Sequence, residues 1–337
     1  MGQRIARLLA HIPCFSDNVL HDEEPKKFKE TQETKDGSVA APSPIDPNTT
    51  VYVVVMGSTG SGKTTFINLA SASGLGVGSG LESCTNEVQT SMPFKVGGKQ
   101  VVLLDTPGFD DTSMTDTDVL RIISAYLVAM NKQGARLVGV IYMQRISDLK
   151  IGGSARRDLR MFQELCGEEA YENVIVVTNM WGTVSEEDGI ARENELASKD
   201  IFYKPILERK GRMMRHDNTQ KSAHHILENL VQKEPIVLRI QRELAEGVDI
   251  TQTAAFKQLD RELSEMAAKH QQDLEKLKDE MVQAEQEMDE ETQKELAEEK
   301  QKVEEDLQKA QTQASRLASD YQAELRRIEE KLHVREV

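Results

Sequence analysis

Cysteine, tryptophan and long apolar runs are all scarce in this chain of 337 residues. Its three cysteines, Cys14, Cys84 and Cys166, are widely spaced and odd in number. They make neither a disulfide framework nor a zinc pattern, so the expected compartment is reduced and cytoplasmic. No apolar run approaches the roughly 18–20 residues of a membrane span. A secretory signal is not expected either, because the apolar run at the start is short and interrupted by Arg4, Arg7 and His11. Basic charge is in deficit: 42 Lys and Arg stand against 57 Asp and Glu, a formal net charge of −15. Nucleic acid needs a basic face, so this balance argues against it as the main partner. Aromatics are 4% of the residues and charged residues 29%, which suits a chain that is partly a long solvated helix.

Against that background one stretch stands out: Gly57-Ser58-Thr59-Gly60-Ser61-Gly62-Lys63-Thr64, followed by Thr65. It matches the phosphate-binding pattern G-x-x-x-x-G-K-[ST] without deviation. The β-branched run 51–56 (VYVVVM) precedes it and a helix-forming stretch follows. Strand, glycine loop and helix start come in the order the chemistry needs. Glycines let the backbone wrap a phosphate, so successive N–H groups and the helix N-terminus face the anion. Lys63 is expected at the β- and γ-phosphates and the Thr64 hydroxyl on Mg²⁺. A nucleoside triphosphate site is the reading.

Residues 1–49 form a separate segment. The first 13 suit a short basic amphipathic helix, with Ile5, Leu8, Leu9 and Ile12 on one side. Such a helix is compatible with lying on a membrane surface; a frayed end or a helix packed on the domain is the alternative. Residues 15–49 are polar and carry Pro25, Pro42, Pro44 and Pro47, the composition of a disordered linker. From Val51 onward β-like runs (51–56, about 88–96, 100–104, 137–143, 173–178, and weakly 212–216) alternate with helical ones (63–72, 115–131, 153–166, 187–209, 220–232). That alternation over 50–240 predicts an α/β domain: a mostly parallel sheet between two helix layers. Gly97-Gly98 between two β-like runs signals a hairpin, and so one antiparallel edge.

A second chemical motif is Asp105-Thr106-Pro107-Gly108, at the end of Val101-Val102-Leu103-Leu104. Four apolar residues ending in Asp describe a buried strand whose last carboxylate emerges at the nucleotide end of the sheet. Asp105 is expected to hold a Mg²⁺-bound water, and the Gly108 amide to face the γ-phosphate. Between the two motifs lies a Gly-rich segment containing Thr85, the candidate that closes on Mg²⁺ when the γ-phosphate is present; Ser83 competes with it.

Together, GSTGSGKT, a threonine in the intervening loop, DTPGFDD and Ser222-Ala223 resemble the Ras-like G domain, in the manner of the septins, the GIMAP GTPases and the chloroplast-import receptor GTPases. The stretch from Ile141 is similar to fungal GIMAP-like proteins. The resemblance implies a three-layer P-loop NTPase fold, GTP/GDP and Mg²⁺ as ligands, and hydrolysis of GTP to GDP and phosphate. It also implies a base-reading [NT]-K-x-D after the fifth strand. This chain has Thr178-Asn179-Met180-Trp181 there, so Trp181 replaces the base-reading Asp. It either stacks on the base or packs as an ordinary aromatic, and an ATPase reading stays open. Ser222-Ala223 matches the small-residue loop that closes over the base. His216, His224 and His225 are read as surface residues rather than metal ligands. Where many GTPases carry a water-orienting Gln, this chain has Phe109, Asp110 and Asp111, which implies slow hydrolysis. Arg145 is a candidate for reaching across a dimer to the phosphates, or an ordinary surface arginine.

From Phe256 to Leu332 glycine and proline are absent. Phe256, Leu259, Leu263 and Met266, then Leu274, Leu277 and Met281, recur at three- and four-residue steps, and Val303 to Leu332 repeat the pattern. This predicts a C-terminal coiled coil over 241–337, with a second copy or another coiled coil as partner. At about 1.5 Å per residue a continuous arm would span roughly 115 Å. Its expected role is that of a switch or an assembly scaffold, the scaffold with negligible turnover being the rival reading.

Overall fold

The structure, a computed structural model, describes residues 49–76, 86–109, 114–149, 152–286 and 290–334. In chain order the first elements are β1 (Thr50–Met56), α1 (Lys63–Ser71), β2 (Gln89–Thr90), β3 (Phe94–Val96), β4 (Lys99–Asp105) and α2 (Asp116–Lys132). Then come β5 (Arg136–Arg145), α3 (Gly153–Cys166), β6 (Val174–Asn179), α4 (Glu186–Ser198), α5 (Lys204–Glu208), β7 (Arg212–Arg215) and α6 (Gln220–Val231). The last are α7 (Arg239–Ala245), α8 (Ala254–Gln286) and α9 (Glu290–Val334). The expected N-terminal helix and linker, Thr85, and Asp110 and Asp111 lie outside the described residues.

Seven strands make one sheet in the order β2-β4-β1-β5-β6-β7, with β3 also paired to β4. β1, β4, β5, β6 and β7 run parallel, and β2 and β3 lie antiparallel to β4. The α/β expectation holds, including the hairpin through Gly97-Gly98, where Val96 pairs with Lys99. Strand residues alternate between two cores, as a period of two dictates. Val51, Val53 and Val55 pack with α1 and α6, while Val54 and Met56 pack beneath α2 and α3. The expected 88–96 strand is two short pieces, β2 and β3, with Pro93 between them; proline cannot donate to a ladder. The expected 187–209 helix is likewise broken. α4 ends at Ser198, and Pro205 opens α5 in its first turn, a place proline tolerates.

The C-terminal region is helical, as expected. Its two helices, α8 and α9, pack against each other and the sheet domain. Phe256, Leu259 and Leu263 of α8, and Tyr321, Leu325 and Ile328 of α9, join the same core as α2 and α3. Arg160 of α3 donates to Glu262 (2.7 Å), and Lys132 at the end of α2 meets Glu329 (2.7 Å). The apolar stripe does need a partner helix, and much of that partner is supplied within the chain. The roughly 115 Å span is therefore not reached.

Candidate functional site

β1 delivers the glycine loop to the C-terminal end of the sheet, where α1 begins directly at Lys63. Gly62 caps α1 with φ +90°, a backbone region costly for any residue with a Cβ. A methyl there would also stand 2.8 Å from the Asn179 amide nitrogen. Lys63 is buried, and its Nζ donates to the carbonyls of Gly57 (2.9 Å) and Ser58 (3.1 Å). The ammonium is thus held at the centre of the loop.

β4 ends on Asp105 beside α1. Thr64 Oγ1 donates to Asp105 Oδ2 at 2.6 Å. Burial raises the Asp105 pKa, while the Thr64 bond and the Lys63 charge pull it down. The second carboxylate oxygen, Oδ1, is buried and has no partner among the described residues. Beyond it, Thr106 Oγ1 donates to Val55 O (2.9 Å), and the Thr59 amide donates to Phe109 O (2.9 Å). The Phe109 side chain is fully buried in the core. Gly108 packs so closely that a Cβ would lie 2.6 Å from Thr59 N. The two motifs predicted from sequence are therefore in direct contact.

The base-side expectations fare less uniformly. Asn179, at the end of β6, donates through Nδ2 to Ser61 O at 2.6 Å, tying this strand end to the phosphate loop. Thr178 is buried and accepts from Trp181 Nε1 at 3.2 Å. The Trp181 ring is covered by the Arg215 guanidinium, 3.9 Å from its centroid, and packs on Gly189. Arg215 is itself paired with Glu193 (3.0 Å). Trp181 is thus packed between Arg215 and the start of α4.

Ser222-Ala223 is not in a loop. Both residues lie in the first turn of α6, capped by Thr219, and Ala223 is fully buried in the core. A small-residue pair suits a helix packed on a sheet as well as it suits a loop. Ser222 serves indirectly, its hydroxyl bonding His216 Nδ1 at 2.7 Å. His216 corrects the surface reading: it is buried edge-on to Phe66, and burial lowers its pKa. Thr65 is exposed on α1, away from these contacts.

Residues that the sequence did not single out complete the site. Tyr142 of β5 is buried beneath the loop, hydrogen-bonded to Ser58 and close to Asp158 of α3. Four buried polar atoms have no partner among the described residues and lie around this end of the sheet: Ser61 Oγ, Asp105 Oδ1, Asn179 Oδ1 and His216 Nε2. Buried polar atoms are rarely left unpaired, and such a row marks where a polar ligand belongs. Thr64 and Asp105 also fit Mg²⁺, a hard cation held by one or two protein oxygens together with phosphates and water. Among the described residues no three His, Cys, Asp or Glu side chains gather into another metal cluster.

Comparison with known proteins gives one family match. Residues 52–180 match the model of a family described as 50S ribosome-binding GTPase. None of the curated proteins matches the chain. Among solved structures, the chain is similar to Toc33 from Arabidopsis thaliana in complex with GDP and Mg²⁺, at 13% identity and a TM-score of 0.45, over 56% of this chain and 88% of that one. Era from Aquifex aeolicus bound to GDP·AlF4⁻ is similar at 16% identity and a TM-score of 0.37, over 56% and 58%. The G domain of the FeoB iron transporter from T. maritima is similar at 17% identity and a TM-score of 0.33, over 54% and 98%. The family match starts within β1 and ends just short of Trp181, so it takes in both phosphate motifs, and this part of the chain has the P-loop GTPase fold.

Proposed function

We propose that the G domain binds GTP and GDP with Mg²⁺ and hydrolyses GTP slowly, as a nucleotide-dependent switch. The observation that carries this is the Thr64–Asp105 pair, with one carboxylate oxygen that has no partner among the described residues, beside the Lys63 ammonium. Lys63 exchanges its two loop carbonyls for β- and γ-phosphate oxygens. Loop amides and the start of α1 take the remaining phosphate charge. Mg²⁺ would be held by Thr64 and Asp105 and would neutralise the charge that develops on transfer. Asp105 and Thr64 would orient that ion's shell, and Gly108, seated close against Thr59, is assigned to the phosphate end. Thr85 is assigned to closure over the γ-phosphate. The base would lie beyond Asn179, towards the His216 loop, and guanine is favoured by the family match.

Two further observations bear on rate and role. Phe109 follows the glycine of DTPG and points into the core, so it positions no water. Lys331 and Arg327 of α9 pair with Glu87 (2.6 and 3.1 Å), two residues past Thr85. These pairs tie α9 to the start of the segment that leads into β2, and contact of this kind between the C-terminal helices and the sheet domain supports the switch reading. The rival, a nucleotide-stabilised scaffold, draws on the same buried Phe109. Single-turnover phosphate release from the isolated chain with Mg²⁺ separates them. The expected rate is on the order of 10⁻³ s⁻¹ or slower, the scale of an unassisted GTPase. Turnover of about 1 s⁻¹ or faster without a partner would sink the slow-switch reading, and no release over many hours would favour the scaffold.

A further inference from the structure

We infer that Arg145, the last residue of β5, flanks the bound nucleotide from within the same chain and gives its base and ribose a flat cationic face. This rests on the nucleotide reading above and adds a residue to it. β5 lies between β1, which carries the phosphate loop, and β6, which carries Asn179. Arg145 and Asn179 are partners across the β5–β6 register. A nucleotide whose phosphates sit in the loop and whose base reaches the ends of β6 and β7 must pass the end of β5. Arg145 already leans that way: its Nη1 lies 3.4 Å from where a Cβ on Gly60 would stand. The guanidinium therefore lies over the phosphate loop of its own chain, as no partner chain is needed to bring it there.

Its support is built. Asp148 Oδ1 accepts from Arg145 Nε at 3.0 Å. Gln144 Nε2 donates to the Arg145 carbonyl at 3.1 Å, and Tyr203 donates to Gln144 Oε1 at 2.7 Å. Arg192 donates to Ile146 O at 2.9 Å, holding the turn that carries Asp148. The two residues at the end of β6 offer no free flat face. Trp181 is covered by Arg215, and the Asn179 side-chain nitrogen is committed to Ser61. A guanidinium is planar, weakly hydrated and stacks on aromatic faces. With Asp148 offsetting its charge, Arg145 acts mainly as a face, and its contribution does not depend on the γ-phosphate.

The test is titration of GDP and GTP, with Mg²⁺, into the full chain and its Arg145→Ala, Arg145→Lys and Asp148→Asn variants. Melting temperatures without nucleotide and a Lys63→Ala control are measured alongside. Arg145→Ala is expected to weaken GDP and GTP equally, by roughly three- to thirtyfold, with the melting temperature unchanged. Arg145→Lys keeps the charge without the plane and should recover less than half of the loss, and Asp148→Asn should fall between Arg145→Ala and wild type. Wild-type affinity in Arg145→Ala overturns the inference alone, provided Lys63→Ala has lost binding. Loss confined to GTP makes the contact a γ-phosphate one and overturns it too. So does an effect seen only at concentrations where the chain self-associates, which places Arg145 in trans. A wild-type chain that binds neither nucleotide overturns this inference and the nucleotide reading together.

Discussion

Lys63→Ala is expected to lower the affinity for GTP and GDP by roughly ten- to a hundredfold while leaving the fold intact. The ammonium sits inside the loop on two carbonyl oxygens, 2.9 and 3.1 Å away. Ammonium-to-phosphate bonds replace these when nucleotide binds, and a hydrogen bond to a charged group contributes about 1.5–3 kcal/mol. That range converts to the stated loss in affinity. The core around the loop, Phe66 and Ile67 of α1 and Val53 and Val55 of β1, does not depend on Lys63. Calorimetric titration and a thermal melt on the same sample check both halves. Unchanged affinity in the variant would mean that the loop does not hold phosphate.

Gly108→Ala should be the most disruptive small change at the site. The added methyl would meet Thr59 at Oγ1 (2.3 Å), N (2.6 Å) and Cα (2.7 Å). A rotamer change relieves the first contact, but the other two are backbone. The glycine loop and the DTPG segment must then separate, which breaks the Thr59 N–Phe109 O bond. Phe109, buried in the core, resists that movement. Overpacking of this kind costs about 1–3 kcal/mol, or a drop in melting temperature of roughly 3–10 °C for a domain of this size. Nucleotide affinity should fall with it, since the two phosphate motifs are displaced relative to each other. Gly153→Ala is the matched control, because nothing lies within 4 Å of its would-be Cβ. Equal melting temperatures for the two variants would contradict the close seating of these segments.

What the sequence makes legible here is local. The glycine loop, the strand before it and the Asp105 strand are short patterns whose chemistry and backbone geometry coincide, so both motifs fall where expected. The same holds for the Gly97-Gly98 turn. Contacts between distant segments are another matter. The stripe from Phe256 to Leu332 states that one helix face is buried, and says nothing of what buries it. Here that is largely the domain itself, through α2 and α3. Ser222-Ala223 is compatible with a loop and with a helix against a sheet, and spacing does not choose between them. The covering of Trp181 by Arg215 depends on how β6 and β7 pair, as does the burial of His216 behind Phe66. Arg145 over Gly60 likewise requires the strand order.

The central claim is that this chain holds a guanine nucleotide with Mg²⁺ at the Lys63–Thr64–Asp105 site, without an Asp in the usual base-reading place. Competitive titration of GTP and ATP against the full chain, with and without Mg²⁺, tests it most directly. GTP is expected to bind more tightly than ATP, and chelating Mg²⁺ to weaken GTP binding. ATP binding as tightly as GTP or more so, or indifference to Mg²⁺, would contradict it.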